Sequence, residues 1–165
     1  MKDRAWNAGL TSYVSTLGGD DVDASLLLLS YYGFESADSR RMQATYRAIR
    51  KKLGAGNYLL RRYANGAKEG AFGICSFWEV EFLALHGGTL QHSQKLFEEL
   101  LKFRNDVGLY AEEIDPHTGE ALGNFPQAFT HIGLVSAALS ITERRQGKTQ
   151  LAHREPEARE GQSTA

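Results

Sequence analysis

The stretch Gly70–Gly88, GAFGICSFWEVEFLALHGG, decides the fold. Between Phe72 and Leu85 its only charged residues are Glu79 and Glu81, and its apolar positions do not alternate with polar ones as they would on a half-buried strand. A helix that is apolar all round has no face to give to water, so it must lie inside a layer of other helices. Four more helical patterns flank it. Upstream, DASLLLLSYYGF opens at the cap candidate Asp23 and stops near Gly33, and its consecutive leucines predict a second buried helix. ADSRRMQATYRAIRKKLGAG follows, with Asp38 as cap candidate, a stripe of Met42, Tyr46, Ile49 and Leu53, a basic opposite face and a stop at Gly54. Downstream, TLQHSQKLFEELLKFRND is amphipathic through Leu90, Phe97 and Leu100 or Leu101. The last pattern begins near Pro126, with Asn124 as cap candidate, and stays apolar through AFTHIGLVSAALSITERR until Glu143, which predicts an interior helix.

Buried and amphipathic helices thus alternate, as they do when consecutive hairpins place one member toward a core and its partner outside. The expected fold class is all-α, a partial layered α/α toroid of about five helices, with no strand. A single domain of residues 1–145 accounts for the chain. The remaining stretch, 146–165, holds Leu151 as its one large apolar residue and is expected to be a disordered polar tail. With 19 basic and 20 acidic residues, the charge balance gives no field that would attract nucleic acid or an anionic membrane. The N-terminus lacks an apolar stretch of signal-peptide length and no run is long enough to span a membrane, so the expected location is cytoplasmic. The single cysteine, Cys75, lies in the apolar stretch and reads as a small core residue.

Two polar loops precede buried helices. Tyr58–Phe72, YLLRRYANGAKEGAF, offers Arg61, Arg62, Tyr63 and Glu69. Gly108–Phe125, GLYAEEIDPHTGEALGNF, offers Glu112, Glu113, Asp115 and Glu120, and a loop of this length inside a small domain is uncommon unless it has work to do. Adjacent Glu112 and Glu113 point to opposite sides of an extended segment, so only one of them can face a given cleft. DPHTG is a turn signature, which assigns Asp115 to backbone organisation. Any one of the four acids remains a candidate for chemistry at this point. The histidines at 86, 92, 117, 131 and 153 lack paired ligand spacing, and neither a metal nor another cofactor is expected. Trp78 reads as packing within an apolar helix.

Three stretches together carry a resemblance: Trp6–Leu29, WNAGLTSYVSTLGGDDVDASLLLL; Glu69–Gly88, EGAFGICSFWEVEFLALHGG; and Asn105–Leu139, NDVGLYAEEIDPHTGEALGNFPQAFTHIGLVSAAL. In this order and spacing they resemble the C-terminal part of the catalytic barrel of glycoside hydrolase family fifteen, the bacterial glucoamylase, glucodextranase and trehalase group. The resemblance implies part of an (α/α)6 barrel and exo-acting hydrolysis of α-glucosides with inversion, in which one glutamic acid protonates the leaving oxygen and a glutamate activates water. It carries the general base onto Glu112, the first acid of the AEE step, and sugar-hydroxyl contacts onto Arg62 and Glu69. The family's general acid sits in an upstream GIWE-like segment that has no counterpart here. The chain is therefore expected to be a fragment holding the base without the acid, inactive by itself, or one chain of a split glycosidase completed by a partner carrying the other hairpins. A non-catalytic helical sugar-binding or interaction module is the alternative. An α-glucoside is the expected small-molecule partner.

Overall fold

Apolar spacing becomes five α-helices in the computed structural model, which describes residues 2–56, 58–64 and 69–148. They are α1 (Leu28–Tyr31), α2 (Arg40–Leu53), α3 (Gly73–Phe82), α4 (Leu90–Leu100) and α5 (Ala128–Arg145). Helix α3 buries eight of its ten residues, as its all-round apolar character requires, and α1, α4 and α5 pack against it. Cys75 is fully buried there, and Trp78 packs against the core from its edge.

Local chemistry sets where the helices begin. Asp23 accepts the Ser25 N–H at 2.7 Å and starts a 3-10 turn, Ala24–Leu27, that leads into α1. The leucine run is thus a 3-10 turn followed by a single α-helical turn, cut short by the chain reversal at Gly33, rather than one long helix. At α2 the cap is Ser39, whose hydroxyl accepts the Met42 N–H at 3.1 Å, and not Asp38. Ser39 holds the extended backbone immediately before the first helical residue, and Asp38 instead accepts a bond from the Ser36 hydroxyl. Helix α2 buries Met42, Thr45, Ile49 and Leu53 and ends at Gly54, while Arg40, Arg47, Lys51 and Lys52 face water. Thr89 caps α4 through the His92 N–H at 3.1 Å, and Ser93, Leu96 and Leu100 form its buried edge.

Two further expectations are corrected. Among the described residues there are five strands of two residues each: β1 (Trp6–Asn7) pairs with β2 (Ser12–Tyr13), and β3 (Ala71–Phe72), β4 (Glu113–Ile114) and β5 (Ala121–Leu122) form an antiparallel sheet with β4 in the middle. Pairs this short carry no alternation that could be read beforehand. The second concerns α5, which is not interior all round. It packs most extensively on α3, through Thr130, Gly133, Ala137, Ser140 and Ile141, and leaves Phe129, Ile132, Val135 and Leu139 between 56% and 65% exposed. The small residues permit the close approach: a Cβ at Gly133 would sit 3.2 Å from both Ile74 and Phe77 side-chain atoms. The polar tail expected at 146–165 lies, from residue 149 onward, outside the described residues.

Candidate functional site around Glu112

The loop between α4 and α5 is pinned at both ends and in the middle. Its entry is held by Tyr110, which is buried with its ring edge-on to Phe77 of α3 and to His131 of α5. The first turn of α5 reaches back, with Gln127 N–H donating to the Tyr110 carbonyl at 2.9 Å and the Thr130 hydroxyl donating to the Ala111 carbonyl at 3.0 Å. At the far end Asp115 accepts the His117 and Thr118 N–H groups at 2.7 and 3.0 Å, the turn role assigned to it from sequence. Those two backbone donors hold its carboxyl below the ordinary aspartate range.

Glu112 sits where these constraints meet. Its carbonyl accepts the Gly73 N–H at 3.0 Å, at the start of α3, and its own N–H donates to the Asn124 carbonyl at 2.9 Å. The side chain is held by the same neighbour: Oε2 accepts the Asn124 backbone N–H at 3.1 Å and the Asn124 Nδ2 at 2.9 Å. Among the described residues no hydrogen bond reaches Oε1. Gly123 makes the arrangement possible, because its φ is +70° and a Cβ there would lie 2.9 Å from Glu112 Oε2. Asn124 is the residue that sequence reasoning missed. It reads as a helix cap before Pro126, yet Gln127 holds the cap position of α5 and Asn124 serves Glu112. The antiparallel pairing of Glu113 with Leu122 and Ile114 with Ala121 is what carries residues 123 and 124 back to Glu112.

Glu113 points the other way, as neighbours on an extended segment do, and its Oε2 accepts the Gly70 N–H at 2.8 Å. Glu69 is one residue upstream, and its carboxylate accepts the Tyr63 hydroxyl at 3.3 Å. The Tyr63 phenol is pushed up first by that hydrogen bond to Glu69 and by the Glu69 charge, and to a smaller degree by Glu113. Glu69, Tyr63 and Glu113 therefore form one acidic edge on the β3–β4 pairing, next to the Glu112 loop. Arg62 stands apart from them, more than half exposed, with Nε 3.9 Å from an Asp23 carboxylate oxygen and its carbonyl accepting the Ala24 N–H. Its guanidinium fork is open to a ligand that offers paired hydroxyls. Glu120 stays exposed at the β5 end of the loop.

The α3 glutamates belong to the interior. Glu79 accepts Arg50 at 3.0 Å and the Tyr46 hydroxyl at 2.7 Å, and burial pushes its carboxyl up against the opposing pull of Arg50 and Tyr46. Glu81 accepts the hydroxyls of Ser136 and Ser140, and burial with no cation beside it pushes its carboxyl up as well. Neither group reaches water to act on a sugar. Among the described residues no cluster of three or more His, Cys, Asp or Glu is disposed to hold a metal ion. A groove of about 1040 Å³ between the Gly9–Thr11 turn and α2, lined by Gln43, Arg47 and Lys51, contains none of the site residues. No helix among the described residues is long and apolar enough to cross a membrane.

Known proteins share both the sequence and the shape. A family model described as glycosyl hydrolases family 15 matches residues 89–139, which include Glu112 and Asn124. The chain is 38% identical over 155 residues to a trehalase of Thermoplasma acidophilum, covering 87% of this chain and 26% of that one. It is 43% identical over 130 residues to a trehalase of Mycolicibacterium smegmatis, covering 75% and 19%. The chain thus spans between about a fifth and a quarter of the length of these relatives. A solved glycosidase superposes with a TM-score of 0.73 at 18% identity, covering 86% of this chain and 41% of the other. A bacterial glucoamylase solved with acarbose superposes with a TM-score of 0.63 at 15% identity, covering 78% and 21%. The chain belongs to glycosyl hydrolases family 15, folded as one arc of an (α/α)6 toroid.

Proposed function

We propose that this chain supplies the general base, Glu112, to an inverting, exo-acting α-glucoside hydrolase, and that trehalose is its first candidate substrate. The observation that carries this reading is the asymmetry of the Glu112 carboxylate: Oε2 is held by two Asn124 donors while Oε1 has no partner among the described residues. A general base needs this division, with one oxygen fixing its aim and the other taking the proton of the attacking water. Inversion requires the acid across the scissile bond, about 6.5–9.5 Å from the base, so that water fits between base and sugar. The other exposed candidates, Arg62 and Glu69, are assigned to the sugar hydroxyls, and the acid to hairpins that complete the ring. A cytoplasmic location is part of the same proposal. The trehalase relatives support the substrate class, and a solved glycosidase variant in complex with glucose is a further structural likeness.

The test is a chimera in which this chain replaces the matched 130-residue segment of the Mycolicibacterium smegmatis trehalase. Trehalose hydrolysis is expected, with Glu112→Gln lowering kcat by a factor of about 100 to 10,000 and leaving the fold intact. Direct observation of the anomer released should show inversion. A Glu112→Gln chimera that folds and hydrolyses trehalose as well as its parent would overturn the base assignment. A parent chimera that binds trehalose without cleaving it would leave a sugar-binding module in its place.

A further inference from the structure

The antiparallel pairing of β3 with β4 stops two residues short of Glu69. Its last pair is Ala71 with Ile114. Past that pair the two segments part, since Asp115 turns to bond within its own loop, giving its N–H to the Glu120 carbonyl and accepting the Gly119 N–H, both at 2.8 Å. The Glu113 side chain carries the hold one residue further, with Oε2 accepting the Gly70 N–H at 2.8 Å. Gly70 is buried, and a buried N–H without a partner is costly, so this bond has weight. The fit around it is close: a Cβ at Gly70 would lie 2.9 Å from the Ile114 carbonyl oxygen and 3.1 Å from both Cβ and Oε2 of Glu113. Among the described residues no Lys or Arg pairs with Glu113, so its carboxylate is left to this one backbone donor.

We propose that Glu113 is a positioning residue for sugar binding: by holding the Gly70 backbone it keeps Glu69, the adjacent residue, at a set distance from Glu112. The inference rests on the reading of this chain as part of an α-glucoside hydrolase with Glu112 as base and Glu69 at the sugar hydroxyls. Two neighbours on one extended segment then serve the site from opposite sides. Glu112 takes part in the reaction, and Glu113, turned the other way, ties down the segment that ends in Glu69. The tie has a counterpart at the other end of β3, where the Gly73 N–H donates to the Glu112 carbonyl at 3.0 Å. Fixed at both ends and paired between them, residues 70–73 cannot slip in register against the strand that follows Glu112. The Tyr63 phenol, pushed up first by its hydrogen bond to Glu69, is pushed further by the Glu113 charge, which sets all three groups in one field. Since Glu113 points away from the base, its loss acts on binding and not on turnover.

Hydrogen exchange in the full chain and kinetics in the trehalase chimera test this together. Exchange at the Gly70 amide should run at least about tenfold faster in Glu113→Ala, and near the parent rate in Glu113→Gln, whose amide oxygen can accept the same bond. In the chimera, Glu113→Ala should raise KM for trehalose about tenfold with kcat within about twofold of the parent, and Glu113→Gln should restore KM. Because Glu113 acts through Glu69, adding Glu113→Ala to Glu69→Ala should raise KM no further. Unchanged exchange in Glu113→Ala overturns the proposal, as does an unchanged KM in a folded chimera, which would leave Glu113 a structural role only. Full additivity with Glu69→Ala, or the full KM defect in Glu113→Gln, also overturns it, by making Glu113 a sugar contact itself. Should Glu113→Ala not fold, Gly70→Ala strains the same joint from the other side and is expected to raise KM likewise, an unchanged KM again being fatal. The base assignment is read separately, from the kcat of Glu112→Gln, and its failure would leave a KM shift at Glu113 standing. A parent chimera that binds trehalose without cleaving it gives the same test through Kd.

Discussion

Glu79 and Glu112 are both glutamates fixed by hydrogen bonds, and they differ in what fixes them. Glu79 has one oxygen on Tyr46 and the other on Arg50, so its whole carboxylate is spent holding α2 to α3. Among the described residues Glu112 is held on one oxygen only, by a backbone N–H and an amide from a residue that shares its loop. A carboxylate that is saturated from all sides is a structural joint. One that is aimed from one side and, among the described residues, open on the other is the arrangement on which the proposed base role rests.

The sharpest way to break this contrast is Glu79→Ala. It strips the partner from Arg50, whose side chain is 34% exposed, so the loss falls toward the lower end of the range for a broken buried pair, about 3 kcal/mol. Urea unfolding of the chain should show it, while the kcat of the trehalase chimera carrying the same change stays unchanged. A catalytic defect at full stability would mean that the interior glutamate is not merely structural. A smaller effect is expected from Asn124→Ala in the chimera. Losing the donor that aims Glu112 should cost about 1 kcal/mol of transition-state stabilisation, roughly fivefold in kcat, with KM and melting temperature little moved. A rise in KM alone would make Asn124 a sugar contact instead of a positioning residue.

The smallest effect should come from Glu81→Gln, which sharpens the comparison through pH. Burial raises the Glu81 carboxyl above its ordinary value, so the folded state holds this proton more tightly than the unfolded chain. Its contribution is complete below the ordinary glutamate value and is lost as pH climbs through the raised folded value. An uncharged amide at this position removes that dependence. The variant should be slightly more stable at neutral pH and flatten the fall of melting temperature on the alkaline side of the glutamate range. Equal pH profiles for both proteins would show that Glu81 is no more perturbed than a loop carboxylate.

How much could be read beforehand follows from which forces are local. Helices α2, α3 and α4 were legible because their apolar spacing and their ends are written within one turn of chain, and even the misassigned cap of α2 moved by one position. The opposed directions of Glu112 and Glu113 followed from the alternation of an extended segment. The exposed face of α5 was not legible, since an apolar residue list does not say whether a helix is covered by its own hairpins or by others. Asn124 was hidden for a related reason. Its bond to Glu112 spans twelve residues and exists only because β4 and β5 pair, and two-residue strands leave no pattern to detect.

Under the proposed function, the pinning of the Glu112 loop also bears on how sugar would enter and glucose leave. Gly73, Asn124, Gln127 and Thr130 tie this segment to the starts of two helices, so it cannot swing aside without undoing bonds on both. Under the proposed function this segment is the fixed side of the site, and any motion that admits or releases sugar belongs to other segments.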